Sequence, residues 1–118
     1  MMEAQIREKL EKAGIDVAGA LERLNGKEEL FTRLLKKFLN DTNFEKLKTA
    51  IDSGNYEEAA NAAHALKGVC GNLAMTELFQ LSKVQLETFR AGDSNKAVEF
   101  MPEITVCYNR IVDAIRSM

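Results

Sequence analysis

The run Tyr56-Glu57-Glu58-Ala59-Ala60-Asn61-Ala62-Ala63-His64-Ala65-Leu66-Lys67-Gly68-Val69-Cys70-Gly71-Asn72-Leu73 carries the reading of the fold. It follows the turn signal Ser53-Gly54-Asn55 and predicts a helix from about Tyr56 to Asn72. A helix advances roughly 100° per residue. On that wheel Ala59, Ala62, Leu66, Val69 and Leu73 share one side, the candidate core. Glu57, Ala60, Asn61, Lys67, Gly68 and Gly71 share the other side with His64, the single histidine of the chain. His64 is therefore expected to point away from the core, toward water or a partner.

The segments on either side are helical too. Upstream, an amphipathic segment from about Glu3 to Lys12 stops at Ala13-Gly14. Asp16 can cap a short second helix through Leu24, which stops at Asn25-Gly26. Lys27 to Ile51 reads as one long segment with apolar residues mostly three and four apart. A kink or break is expected at Asn40-Asp41-Thr42-Asn43, whose side chains compete for the backbone. Downstream, Thr76 begins a helix that carries Glu77 in its first turn and ends at Ala91-Gly92-Asp93. Ser94 is expected to cap the last helix. Pro102 either kinks that helix or marks where its regular part begins. Four substantial helices joined by short turns predict an all-α fold, an antiparallel up-and-down four-helix bundle. One or two short N-terminal helices should cover one end.

Composition bounds the function. A chain of 118 residues is one domain's worth, so residues 1–118 are read as a single domain. With 46% hydrophobic and 29% charged residues it has a globular composition. Net charge is −2 and no basic block exists to hold a phosphate backbone, so nucleic acid is not an expected partner. The apolar runs fall far short of the roughly 20 residues that cross a bilayer. With Glu3 placing a charge where an apolar region should build, no signal peptide is expected. A cytoplasmic monomer with no membrane partner is expected. Cys70 and Cys107 make no disulfide framework and read as small buried hydrophobes.

A lone histidine is most often structural, or inert at the surface. The wheel speaks against a core role for His64, and its face is unusual. Gly68 and Gly71 each cost about 1 kcal/mol against alanine inside a helix. Close approach of something bulky would explain both; the bland alternative is that they start to unwind the helix near Asn72. Lys67 lies one turn beyond His64, where a cation can pair with a phosphoryl group on the imidazole. Its bland alternative is an ordinary solvated lysine. The candidate docking face is Ala60, Asn61, Gly68, Gly71 and Met75. Met75 reads equally well as helix-end packing. One histidine and no Glu-x-x-His pair cannot build a bundle metal site, so no metal is expected on the chain. No P-loop or kinase-type glycine loop is present, so no use of ATP by the chain alone is expected.

Ala63-His64-Ala65-Leu66-Lys67-Gly68, followed by Gly71-Asn72-Leu73 and Leu86-Glu87, resembles the signature of the histidine-containing phosphotransfer family of two-component phosphorelays. Gly14-Ile15-Asp16, Ala20-Leu21, Leu24, Glu29-Leu30-Phe31, Leu34-Leu35 and Phe38 resemble the N-terminal part of such domains. The resemblance implies a four-helix bundle with an exposed phosphoacceptor, here His64. Such a domain takes a phosphoryl group from the aspartate of a receiver domain and passes it to another receiver. Lys67 matches the lysine that stabilises the phosphohistidine. Gly68 matches the small residue that lets the receiver's active site come close, and Gly71 a second small position. The chain would be a carrier without kinase activity and without a cofactor of its own, Mg²⁺ being expected on the partner receiver only.

Two positions depart from the family pattern. Many members have a glycine near Ala74, and alanine there implies a less tight corner. Some members orient the imidazole with a glutamine or acid of the following helix. The matching position here is Leu86, which cannot hydrogen-bond. Lys83, Gln85 and Glu87 are the nearby candidates for that second shell. Two alternatives stand beside the relay reading. One is an adaptor bundle that binds receivers without turning phosphate over. The other is a phosphotransfer module of a larger hybrid or chemotaxis-type histidine kinase.

Overall fold

In the computed structural model, which describes residues 2–118, eight helices follow one another, and no strand occurs among the described residues. They are α1 (Ala4–Lys12), α2 (Val17–Arg23), α3 (Glu28–Phe38), α4 (Asn43–Asp52), α5 (Tyr56–Asn72), α6 (Thr76–Arg90), α7 (Ser94–Val98) and α8 (Met101–Arg116). α5 packs between α4 on one flank and α6 on the other. α8 closes the bundle against α6 and α3, with α1 laid along it. The all-α bundle predicted from helical spacing is the fold observed.

Local chemistry sets the helix ends. Asp16 Oδ1 accepts the Gly19 N–H at 3.0 Å and starts α2. Asn55 Oδ1 accepts the Glu58 N–H at 3.2 Å and starts α5. Each satisfies one of the backbone donors that a helix start leaves without a partner. The long segment 28–52 is broken at 39–42. There Asp41 accepts from the Asn43 backbone N–H at 2.9 Å and from its side-chain amide at 3.0 Å, which pulls the backbone out of the helix. Tyr108 of α8 bridges the break: its ring stacks on Phe44 of α4 with centroids 4.0 Å apart and meets Phe38 of α3 at 5.7 Å.

The expected last helix is two helices. Asp93, not Ser94, caps α7, its Oδ1 accepting the Lys96 N–H at 3.2 Å. Ser94 is the first residue of that helix. Pro102 sits in the first turn of α8, where its missing N–H has no helical acceptor to lose. It marks a start and makes no kink.

The two N-terminal helices cover the end where α5 turns into α6. The Ala74 carbonyl accepts the Asp16 N–H at 2.8 Å. The Gly14 carbonyl accepts from the Thr76 hydroxyl at 3.1 Å and from the Glu77 N–H at 3.3 Å. Ala74 has φ of 56°, the left-handed conformation that glycine adopts freely. The expectation of a looser corner is therefore wrong. The corner is tight, and the alanine takes a conformation that costs an L-residue about 1–2 kcal/mol.

The largest fully buried side chains include Phe31, Leu35, Phe38, Leu66, Leu78, Leu86, Ile104 and Ile111. Cys70 and Cys107 are buried and free. Burial pushes both thiols up; the Cys107 thiol, raised further by Glu77 and opposed by Arg110, reaches about 11. Both serve as small core residues. No helix among the described residues is long and apolar enough to cross a membrane.

Candidate functional site

The buried stripe of α5 is Ala59, Ala62, Ala63, Leu66 and Cys70. Val69, placed in the core by the wheel, is only half-buried. The core side of α5 is thus rotated toward Ala63 and Cys70. This rotation turns Ala60, Lys67 and Gly71 toward α6, and all three are half-buried. Asn61 and Gly68 remain exposed on the other side of His64. His64 itself is exposed, and among the described residues it has no hydrogen-bond or ion-pair partner.

The two glycines of this face have different surroundings. A Cβ placed on Gly71 would come within 3.3 Å of Phe79 Cε1 on α6. A Cβ on Gly68 would meet nothing within 4 Å. Neither glycine unwinds α5, which runs on to Asn72. The Gly71 carbonyl accepts from Arg23 Nη1 at 3.1 Å, so α2 holds the C-terminal turn of the same helix. Internal packing accounts for Gly71. For Gly68 the chain itself supplies no steric reason.

On the α4 flank lies a groove of about 670 Å³, lined among others by Asn61, Ala62 and Ala65 of α5 and by Lys46, Thr49 and Ala50 of α4. On the α6 flank Phe79 packs against Gly71. His64 rides on the ridge between the two flanks.

Three sequence expectations need correction or sorting. Met75 is fully buried and does not belong to the surface around His64. The turn at Ala74 folds it inward, with its N–H on the Cys70 carbonyl at 2.9 Å. Gln85 is also fully buried, and its Nε2 donates to the Ala97 carbonyl at 3.1 Å. It ties α6 to α7 on the flank away from Phe79 and is not placed to orient the imidazole. Lys83 and Glu87 are exposed on α6, and Leu86 is only 1% exposed, part of the core. Phe79 and Arg23 escaped the sequence reading. Phe79 looked like any apolar helix residue, and no local signal links Arg23 to a carbonyl 48 residues away.

A helical bundle with one exposed, unpartnered histidine defines a protein that presents an imidazole to solvent. Residues 33–116, from within α3 to the end of α8, match the family model of the Hpt domain, and the chain belongs to that family. Hpt domains carry out histidine phosphotransfer in phosphorelays and interact with receiver domains. No curated protein and no solved structure matches the chain.

Proposed function

We propose that the chain is a phosphorelay intermediate: His64 accepts a phosphoryl group from the aspartate of one receiver domain and passes it to another. The observation that supports this best is the exposed imidazole with no partner, one turn from a glycine that faces open space. A ring nitrogen of neutral His64 forms the N–P bond with its lone pair. The P–O bond to aspartate breaks, and its electron pair leaves with the carboxylate. The reverse step, on a second receiver, regenerates the imidazole.

Lys67 is the cation nearest in sequence on this face, and its ammonium would donate to the phosphoryl oxygens. Gly68 gives the receiver room to approach, with Ala60 and Asn61 beside it. The receiver would bring the Mg²⁺. In this reading the chain acts as a single domain and a cytoplasmic monomer.

One observation favours the adaptor reading: buried Leu86 offers the His64 ring no hydrogen bond. Incubation with a phosphorylated receiver separates the two. The relay reading expects acid-labile label on the chain, absent from His64→Gln. Binding of the receiver without transfer of label would overturn it in favour of the adaptor.

A further inference from the structure

The Gly71–Phe79 contact sets the register of α6 against α5. The chain doubles back at 73–75, so one turn away from the corner leads from Gly71 to Lys67 on α5 and from Phe79 to Lys83 on α6. Each step is four residues, about 6 Å of rise. The two lysines are therefore level across the seam, and His64 lies about 4.5 Å further along α5. Burial agrees with this placement. Lys67 is half-buried on the side of α5 that faces α6. Lys83 is exposed, rotated roughly 40° outward from half-buried Phe79. Leu86, level with His64 on α6, is in the core and leaves the space above the seam to the longer side chains.

Neither lysine is committed elsewhere. Among the described residues Lys67 and Lys83 make no ion pair and no hydrogen bond. Glu87 follows Lys83 by one turn, the weaker order for such a helical pair. The other charged groups around this face are Glu57 on α5, Arg90 on α6, Glu45, Lys46 and Glu58 along the groove, and Arg23 held on the Gly71 carbonyl. Two cations kept level without an acid between them leave a site of positive potential. A phosphoryl group brings roughly one and a half to two negative charges to such a site.

We infer that Lys83 is a second cation for the phosphoryl group on His64, facing Lys67 across the α5–α6 seam; this rests on the phosphoacceptor role proposed above. Both ammoniums donate to phosphoryl oxygens, one from each helix. The binding group that α6 lacks at Leu86, next to the ring, is supplied one turn away, at the phosphate.

The test needs no receiver. The full chain is treated with phosphoramidate, whose P–N bond breaks with loss of ammonia as the ring nitrogen takes the phosphoryl group. The ³¹P signal of the phosphohistidine is then titrated with pH. A cation favours the more highly charged phosphoryl form, so Lys83→Gln should raise the titration midpoint by about half a pH unit. Hydrolysis of the phosphohistidine should quicken about two- to five-fold. Lys48→Gln, the same charge loss at an exposed position of α4, should change neither. A Lys83→Gln protein that titrates like wild type, or a Lys48→Gln protein that shifts as far, would overturn the role of Lys83 and leave His64 standing. Failure of the wild type to form phosphohistidine would instead remove the acceptor role, and this inference with it.

Discussion

Gly68 and Gly71 lie three residues apart on one face of α5, yet their surroundings differ. Next to Gly71 the molecule has filled the space with its own Phe79. Next to Gly68 it has left the space open. The first glycine lets two helices of the bundle approach; the second keeps a surface clear. Absence of a side chain costs helix propensity at both positions, in full at interior Gly68 and less at Gly71 in the last turn of α5. Only at Gly68 is that cost left without a return inside the fold. His64 is closer in sequence to the open position than to the filled one.

Substitutions at the two positions should separate these roles. Gly68→Gln is expected to slow phosphotransfer from a receiver by about a hundredfold, since small misplacements of reacting groups carry penalties of that order. Its urea midpoint should hold or rise, because glutamine is the better helix former by about 0.5–1 kcal/mol. Normal transfer in this variant would remove the reason given for Gly68. Gly71→Leu should do the opposite. Overpacking against Phe79 should cost about 1–3 kcal/mol of stability, measured by urea denaturation. The transfer rate of the folded fraction should stay within about threefold of wild type. Truncating Phe79 to alanine in the same chain should recover part of the loss, a coupling readable in a double-mutant cycle.

A smaller effect compares α5 with its corner. Ala63 and Ala74 are both buried alanines, but Ala63 is helical and Ala74 has positive φ. Ala63→Gly should cost about 2 kcal/mol, from helix propensity and a lost buried methyl. In Ala74→Gly the relief of left-handed strain offsets the lost methyl, so stability should stay within about 0.5 kcal/mol of wild type. Equal losses at the two positions would show that the corner carries no strain.

Much of this was legible in the residues. The turn signals at Ala13-Gly14, Asn25-Gly26 and Ser53-Gly54-Asn55 end or separate helices as read, because caps and positive-φ glycines act locally. The break in 28–52 was legible for the same reason, in the side chain of Asp41. The exposure of His64 followed from helical period alone. What depends on tertiary contact was not legible. Of the two readings open for Met75, docking surface and helix-end packing, the second holds, because a left-handed Ala74 turns the side chain inward. Gln85 looked available because it is polar, but its amide satisfies a carbonyl on α7 that sequence distance conceals. For Gly71 the sequence suggests a partner or an unwinding helix, because nothing local announces that Phe79 will meet it. The rotation of α5 that half-buries Lys67 is likewise set by the packing of three helices, not by the wheel of one.

The relay reading is tested most directly at the imidazole. Wild-type chain and His64→Gln are each mixed with a phosphorylated receiver, and the ³¹P spectrum of the recovered chain is recorded. The expected result is a single phosphohistidine resonance in the wild type, lost on acid treatment and absent from His64→Gln, with both proteins equally helical by circular dichroism. A wild-type chain that binds the receiver but shows no such resonance, or a His64→Gln chain that still takes up phosphoryl from the receiver, would mean that His64 does not carry the phosphoryl group.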